Sequence, residues 1–565
     1  MRRQCSITLT ACALSAGALL SAPVAGAAGS TSISLDATQQ HQTIDGFGTC
    51  LSQGVSYYTS PDFVNMYARD LGASMVRVPL TSDVLPKTTP VTFGSDIDAD
   101  VSLLNFNNYD ANNYGSFTSL ANAAKLDQMK LVGSIWTPPH WMKTNYQNSP
   151  VIDVYNQVDW GNPNDPNNPD KNKPYHWWYI SANGYQPVFM QYDPANPDSA
   201  GGHLSMDPSN LTQFGRYVAS YVVGYRQKFG VNLSALSLQN EPVFYEPYVS
   251  CLYTPDEYVA AVKAIGHAFD DYNTAHPGNP ITTKLIAPED VGVDGGGITD
   301  RVMSYINAIN ADPDARKYVP IIATHGYEGG NGPYGNGRAN LTDFQNRLAS
   351  NPKPLYQMEQ GGSVNQWNYI DPSTGVQDGA ITVALRIHDG LVYGDDSAWF
   401  YWQTADGGPT VSTATLTEGT DTTSKKYNVA KQFFRFIRPG SVRIDASPDN
   451  LTGINVSAYE DPATGALTVV MVNMGGDTST TINLPVGFTA ADLGMWRTSE
   501  TENTAYLGTV SPSGNQVSLF VPAMSVVTLS NEPGLPVPEP SSVLLMVGVA
   551  GPALLMRRRR GGRGN

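Results

Sequence analysis

The sequence predicts an α/β protein, a (β/α)8 TIM barrel with an appended antiparallel β-sandwich domain. Between residues 44 and 430 short apolar runs alternate with amphipathic helical runs, a pattern typical of parallel βαβ units. The apolar runs number eight, the count that closes such a barrel. From residue 431 to 531 the chain instead alternates as strands between Gly, Asn, Asp and Pro turns, which indicates a second, all-β domain.

The predicted barrel strands lie at 44–47, 74–79, 131–136, 235–239, 284–287, 321–325, 355–358 and 398–403. The predicted helices between them include 212–228, 255–272, 300–310 and 341–349. Residues 31–43, ahead of the first barrel strand, are also β-like and are expected to join the β-domain. Because chemistry in this fold lies at the C-terminal ends of the strands, residues there are the first functional candidates.

The N-terminal residues 1–27 have the three parts of an export signal. Arg2 and Arg3 form a charged start, an apolar run follows, and Ala25-Gly26-Ala27 offers a site for a signal peptidase. An uncleaved membrane anchor is the alternative interpretation. The pattern predicts an exported protein.

The C-terminal residues 532–565 combine a Pro-rich linker with Pro538-Glu539-Pro540, a short apolar stretch and a basic tail from Arg557 to Arg560. This segment resembles the PEP-CTERM sorting signal of bacterial envelope proteins. The resemblance implies processing by an exosortase-like enzyme, transient membrane contact and a final location in the envelope or outside the cell. An ordinary C-terminal anchor is the alternative.

Composition narrows the classes of partner. The formal net charge is −16, which argues against nucleic acid as a partner. The chain has 30 Tyr and 9 Trp but only 15% charged residues, a composition suited to stacking on uncharged sugar rings. No cofactor and no metal site are expected, and a polysaccharide is the expected substrate.

Cysteine use fits export. Cys5 and Cys12 fall in the signal, which leaves Cys50 and Cys251, too few for a disulfide-dense scaffold or a four-ligand zinc site. These two cysteines either form one disulfide bridge or remain as two unpaired, buried thiols. Cys50 follows the first strand and Cys251 lies shortly after the fourth, so both are expected on the catalytic face, and we favour a bridge that pins a cleft loop.

One connection is unusually long, between the third strand and the helix near Thr212. It is rich in Asn, Asp and Pro, and a structureless loop of this length is usually functional or disordered. Its aromatic residues argue against disorder and predict a wall of a substrate cleft: Trp160, Trp177, Trp178, Tyr179 and Tyr185.

Two carboxylates lie at predicted strand ends. Glu241 ends the fourth strand within Asn240-Glu241-Pro242, and Glu359 ends the seventh. Glycoside hydrolysis needs one protonated and one ionised carboxyl group across the scissile bond, so the pair predicts that chemistry. Glu289 and Glu328 are rival carboxylates near strand ends, ranked as ligand-binding or structural because neither has an Asn partner.

Five motifs occur in order and resemble the landmarks of glycoside hydrolase family 30, which includes glucuronoxylanases, β-1,6-glycanases and glucosylceramidases. They are Gln42-Thr43-Ile44-Asp45-Gly46-Phe47-Gly48, Arg77-Val78-Pro79, Trp136-Thr137-Pro138-Pro139-His140-Trp141-Met142-Lys143, Ser237-Leu238-Gln239-Asn240-Glu241-Pro242 and Phe436-Ile437-Arg438-Pro439-Gly440. Met358 and Thr49-Cys50 depart from the family pattern. They remove no catalytic group, but they could reshape the floor of the site.

The resemblance implies a retaining glycosidase with Glu241 as acid/base and Glu359 as nucleophile. It implies that Arg77 bonds to the nucleophile and keeps it ionised, and that Asn240 binds the sugar 2-hydroxyl. It also implies a subsite at the cleavage point lined by Trp136, Tyr327 and Trp402 and supported by His325. The alternatives are purely structural roles: an ion pair for Arg77, a core histidine for His325 and barrel packing for Trp402.

The sequence therefore predicts a secreted retaining glycoside hydrolase (EC 3.2.1) that cleaves β-glycosidic bonds of a polysaccharide. A xylan-type endo-β-glycanase is preferred. Alternatives within the family are a β-1,6-galactanase or glucanase and a glucosylceramidase, and the alternative from another class is a non-catalytic polysaccharide-binding envelope protein.

Overall fold

The computed structural model describes residues 29–51, 60–86, 89–107, 129–144, 202–243, 249–293, 301–328, 337–488 and 492–533. Three predicted features therefore lie outside the described residues: the export signal, nearly all of the C-terminal sorting signal, and the five aromatic residues of the long connection. No helix within the described ranges combines the length and apolar character needed to cross a membrane.

Eight parallel strands of the described chain close into a barrel, as predicted. Each strand pairs with the next, and the last pairs with the first. In chain order they are β2 (Gly46–Cys50), β3 (Met75–Leu80), β4 (Lys130–Ile135), β5 (Leu233–Ser237), β6 (Lys284–Gly292), β7 (Ile321–Glu328), β8 (Leu355–Gln357) and β9 (Asp396–Gln403).

Side chains fill the barrel interior. Successive residues of a strand point to opposite faces, so in β3 Met75 and Arg77 share one face while Val76 and Val78 share the other. Met75 joins a buried apolar cluster with Ile286 and Phe400, and Val76 and Val78 pack with the surrounding helices. Arg77 therefore lies above a packed floor, and a substrate can approach only from the strand ends.

Helices surround the barrel. They are α1 (Pro61–Val64), α2 (Ile97–Asp100), α3 (Pro208–Phe229), α4 (Pro255–Ala275), α5 (Arg301–Ala311), α6 (Pro313–Arg316), α7 (Gly337–Leu348), α8 (Ile381–Tyr393) and α9 (Lys425–Phe434). The local sequence explains where the two longest helices begin. Asp207 caps α3, and Thr254 with Glu257 forms a capping box at α4. In both helices Pro follows the cap residue at the first helical position. The predicted domain boundary at residue 430 falls inside α9.

The second sheet has nine described strands in the order β15-β14-β17-β12-β11-β10-β1-β13-β16. Pairing is antiparallel except between β1 and β13. Its apolar core contains buried side chains from strands in both halves of this strand order. The strands are β1 (Gly29–Thr43), β10 (Val442–Ser447), β11 (Ile454–Glu460), β12 (Leu467–Asn473), β13 (Thr478–Asn483), β14 (Leu493–Thr498), β15 (Ala505–Val510), β16 (Gln516–Val521) and β17 (Ser525–Ser530).

Buried polar contacts join the barrel to this sheet. Arg338 of α7 donates to Asp449 at 3.0 Å, and the Trp367 indole donates to the carbonyl of Met524 at 3.0 Å. These contacts, and the packing of α9 against β14 and β17, hold the barrel against the second sheet.

Candidate active site

The two predicted carboxylates lie after the ends of β5 and β8, on one face of the barrel. Glu241 follows β5 and is 5% exposed, and Glu359 follows β8 and is 7% exposed. A carboxylate oxygen of each and a ring nitrogen of His325 all lie within 4.8 Å of one another. The barrel thus brings together two glutamates that are far apart in sequence.

The backbone around Glu241 has an uncommon conformation. Its φ is +46°, in the left-handed region that non-glycine residues rarely adopt. Neighbouring strands hold it there, because the N–H of Glu241 donates to the carbonyl of Glu289 at 3.0 Å and the N–H of Asn240 donates to that of Ile135 at 2.6 Å. The turn aims the Glu241 side chain into the barrel mouth.

Arg77 is fully buried and joins several groups of the site. Its Nε donates to Glu289 at 2.9 Å, its Nη1 donates to Glu359 at 2.6 Å, and its Nη2 donates to the Asn240 side chain. Trp136 covers the guanidinium at 4.6 Å from its ring centroid. A planar, always charged group with several donors is suited to orienting a carboxylate and an amide at once.

Burial has the largest effect on the pKa of Glu359 and raises it. His325, Arg77 and the Tyr327 hydroxyl act in the opposite direction, while repulsion from Glu241 adds to the rise, and the net pKa lies above the ordinary value. Arg77 therefore lowers the pKa of Glu359, as expected, but burial and Glu241 together outweigh the groups that lower it. Repulsion between two close carboxylates favours a state in which only one of them is ionised, a condition that suits one acid and one nucleophile.

His325 lies in a buried position against three carboxylates. Its Nδ1 is 2.8 Å from Oε1 of Glu241 and 3.9 Å from Oε2 of Glu359, and its Nε2 is 3.6 Å from Oε1 of Glu289. Burial lowers the pKa of His325, but attraction to Glu359, Glu241 and Glu289 outweighs it and raises the pKa to about 9. The ring is therefore a cation at neutral pH.

Glu241, His325 and Glu359 each offer an atom that could ligate a metal ion. Because Nδ1 of His325 is already hydrogen-bonded to Oε1 of Glu241 at 2.8 Å, we interpret the three as an acid–base cluster.

Aromatic residues border the carboxylates. The Tyr327 hydroxyl donates to Oε1 of Glu359 at 2.7 Å, while the residue remains 43% exposed. The Trp136 and Trp402 rings lie 6.4 Å apart between centroids, and both cover Arg77. Exposed aromatic surface beside two carboxylates provides a place for a pyranose ring.

All eight residues proposed from the sequence for catalysis or substrate binding lie in this one region. Six are linked by hydrogen bonds or ion pairs, and Trp136 and Trp402 pack over Arg77. Glu289, ranked from the sequence as ligand-binding or structural, is fully buried and contacts both Arg77 and His325. Ser134, which donates to Glu289 at 2.6 Å, was missed. The strand-end position of Glu289 was the one signal available.

The expected bridge between Cys50 and Cys251 is wrong: both thiols are free and buried. Cys50 ends β2 and lies beside Arg77, whereas Cys251 lies near Lys143 and Tyr253, outside the barrel mouth. Burial raises the pKa of each thiol to about 12, so both stay protonated.

Comparisons with known proteins agree with this geometry. No protein-family model matches the chain. The glucuronoxylanase XynC of Bacillus subtilis (strain 168) is 26% identical over 314 residues, which are 54% of this chain. The match spans 63% of that relative, less than two thirds of its length.

Two solved structures share the fold. The family 30 subfamily 8 xylanase Xyn30A from Clostridium acetobutylicum has a TM-score of 0.60 at 22% identity, covering 88% of this chain and 99% of that one. The catalytic domain of GH30 xylanase C from Talaromyces cellulolyticus has a TM-score of 0.62 at 18% identity, with the same two coverages. The likeness extends over the barrel and the β-domain together.

Proposed function

We propose that this protein belongs to glycoside hydrolase family 30 and is a retaining endo-β-glycanase. The homology and the shared fold support this family. The protein hydrolyses β-glycosidic bonds inside a polysaccharide by double displacement. Glu359 attacks the anomeric carbon, and Glu241 first donates and then accepts a proton.

The observation that carries the proposal is the closeness of the two carboxylates. Retaining enzymes place them about 5–5.5 Å apart, whereas inverting enzymes need roughly 6.5–9.5 Å to admit a water molecule. The nearest oxygens of Glu241 and Glu359 lie within 4.8 Å. This closeness supports direct attack by Glu359 rather than activation of water.

The other residues of the site support these two roles. Arg77 and Tyr327 each bond to one oxygen of Glu359 and orient it as nucleophile. Asn240, aligned by Arg77, would bind the sugar 2-hydroxyl, a contact that strengthens as the oxocarbenium-like transition state forms. Trp136 and Trp402 would stack against the sugar at the cleavage point.

Glu359→Ala tests the assignment directly. Turnover should be abolished, and added azide should restore a glycosyl azide of inverted configuration, because a small nucleophile occupies the vacated space. Glu460→Ala in the β-domain is the matched control and should behave as wild type. Near-normal activity of Glu359→Ala would refute the assignment.

The proposed substrate is a xylan-type chain. The named activity of the homologous glucuronoxylanase favours it over β-1,6-linked glycans and glucosylceramide. Reducing-sugar release and product analysis on xylan, glucuronoxylan, β-1,6-galactan and β-1,6-glucan separate these substrates. Binding of a polysaccharide without any release would instead support the non-catalytic alternative.

Export and envelope delivery are proposed from the two terminal sequence patterns alone. We expect a signal peptidase to act after Ala27 and an exosortase-like enzyme to act at the C-terminal motif of Pro538-Glu539-Pro540. Intact-mass measurement of the protein recovered from the envelope and the medium tests both cleavages. A cytoplasmic, full-length product would contradict them.

A further inference from the structure

Glu289 is a third carboxylate at the site. It lies in β6, is fully buried, and has a left-handed backbone with φ +60°. Its side chain accepts from Arg77 at 2.9 Å and from Ser134 at 2.6 Å, and its main-chain carbonyl accepts from the N–H of Glu241. Side chain and backbone therefore hold groups that serve both proposed catalytic carboxylates.

His325 forms a second link from Glu289 to Glu241. The imidazole lies between them, with Nε2 3.6 Å from Glu289 and Nδ1 2.8 Å from Glu241. Within the described residues, Nε2 has no hydrogen-bond partner, and its ionic contact is with Glu289. Glu289 is thus placed to influence the charge on this ring.

Glu289 itself stays ionised. Burial opposes its ionisation, but Arg77, His325 and the Ser134 hydroxyl outweigh burial and lower its pKa. The ionisable groups that face Glu289 or His325 come from several elements and are Cys50, Arg77, Glu241, Tyr258, Tyr327 and Glu359. Burial raises the pKa of Cys50, Tyr258 and Tyr327 and leaves them neutral, so the groups whose charge can act on His325 are Arg77 and whichever of the three glutamates is ionised.

We propose that Glu289 is a positioning residue whose negative charge holds a second proton on His325, so that His325 donates to Glu241 and cannot take its proton. Oε1 of Glu241 is then occupied by His325, and the acid proton is left on Oε2, free to reach the leaving oxygen. This inference rests on the proposed function, because it concerns the proton that Glu241 delivers.

The negative charge of Glu289 sets the direction of the expected change in the pH profile. The active form carries one proton on Glu241 and two on His325, and a nearby negative charge favours that more positive form. Removing the charge lets the Glu241–His325 pair lose a proton at lower pH. The alkaline limb of the activity profile should therefore move toward acid.

Two variants separate charge from shape. Glu289→Gln keeps the size and an acceptor oxygen but loses the charge, and Glu289→Asp keeps the charge but shortens the side chain. Each is assayed for kcat/KM against pH, on phenyl and 2,4-dinitrophenyl glycosides of the sugar that wild type releases. The dinitrophenolate leaving group departs without a proton, so it reports on steps other than acid catalysis.

For Glu289→Gln we expect the alkaline limb to move toward acid by about one pH unit. We also expect the loss of kcat/KM to be about 10-fold larger on the phenyl than on the dinitrophenyl glycoside, since general acid catalysis contributes about 10²–10⁴-fold. Glu289→Asp should leave the limb in place. Equal losses on both substrates with an unmoved limb would overturn the inference and indicate a structural role.

A measurement on the unaltered protein covers the case in which the variants do not fold. NMR titration of ¹⁵N-labelled histidines, with the His325 signal assigned by its loss in His325→Gln, should show His325 protonated well above pH 7. Titration of His325 near its ordinary pKa would overturn the inference. An inactive wild type, or an active Glu241→Gln on the phenyl glycoside, would instead refute the proposed function, so the two failures are distinguishable.

Discussion

Arg77 donates from Nη1 to Oε2 of Glu359 across 2.6 Å while its Nε donates to Glu289, so one guanidinium joins two buried carboxylates. An ammonium group has all its donors on one nitrogen and does not reproduce the spacing of Nε and Nη1, and losing one partner of a buried pair costs about 3–5 kcal/mol. We expect Arg77→Lys to lower kcat/KM at least about 100-fold, which corresponds to about 2.7 kcal/mol.

Arg443→Lys is the matched control. Arg443 is buried and paired with Asp395 at 2.6 Å, but it lies in β10, away from the site. This control should lower the melting temperature while kcat/KM is retained. Retention of half the activity or more by Arg77→Lys would contradict the role given to Arg77.

Tyr327→Phe removes the hydroxyl that donates to Oε1 of Glu359. That hydrogen bond lowers the pKa of Glu359, so its loss should raise the pKa and move the acid limb of the kcat/KM profile to higher pH. We expect about a 10-fold fall in kcat/KM, within the range for one lost hydrogen bond to a charged group. Tyr401→Phe, whose hydroxyl donates to the carbonyl of Thr413, is the control and should not move this limb.

Asp449 links the barrel to the β-domain through Arg338, Tyr393 and His388. Burial opposes its ionisation, but these partners outweigh burial and its pKa is lowered well below the ordinary value. A lowered folded-state pKa stabilises the fold above the unfolded-state pKa, and that stability is lost as pH falls through the folded-state value.

Asp449→Asn should therefore lower the free energy of unfolding by about 3 kcal/mol at pH 7. The difference from wild type should shrink as pH falls below about 4. Urea unfolding at several pH values measures both. The exposed Asp343 pairs only loosely with Arg347, at 3.9 Å, so Asp343→Asn should match wild type. A difference that does not depend on pH would contradict the electrostatic explanation.

Asp396 begins β9 and has a buried oxygen, Oδ2, without a hydrogen-bond partner among the described residues. Burial, with a contribution from Asp395, raises its pKa well above the ordinary value. A raised folded-state pKa means that stability falls as pH rises above the unfolded value, because the buried carboxyl must ionise or stay protonated at a cost. Asp396→Asn should raise the melting temperature at pH 8 and have no such effect at pH 4. Equal melting temperatures of variant and wild type at pH 8 would contradict it.

The barrel and its carboxylate pair were predictable because the signals are local. Strand length, turn residues and a glutamate directly after an apolar run identify Glu241 and Glu359 without tertiary information. Glu289 was harder to rank, because Pro288 suggests that the strand ends before it. In the structure β6 continues to Gly292 through register shifts against β7, which carry Glu289 into the site.

Contacts set by side-chain direction were not predictable. The pairing of Cys50 with Cys251 was inferred from a shared face, but bridging also requires side chains that point toward each other. The net pKa of Glu359 was likewise out of reach, since it depends on how far burial outweighs the nearby cations. The sequence pattern predicts the face of the fold on which a residue lies, whereas the contacts of its side chain depend on packing.

Strand β1 lies between β10 and β13 in the second sheet, so the β-domain is completed by the first and last described parts of the chain. Thr43 pairs with Val442, across the whole length of the barrel. At a synthesis rate of about 5–20 residues per second, β1 waits roughly 20–80 s for its first partner. During that interval β1 lacks its partner strands, so the β-domain can be completed only after the barrel sequence between β1 and β10 has been made.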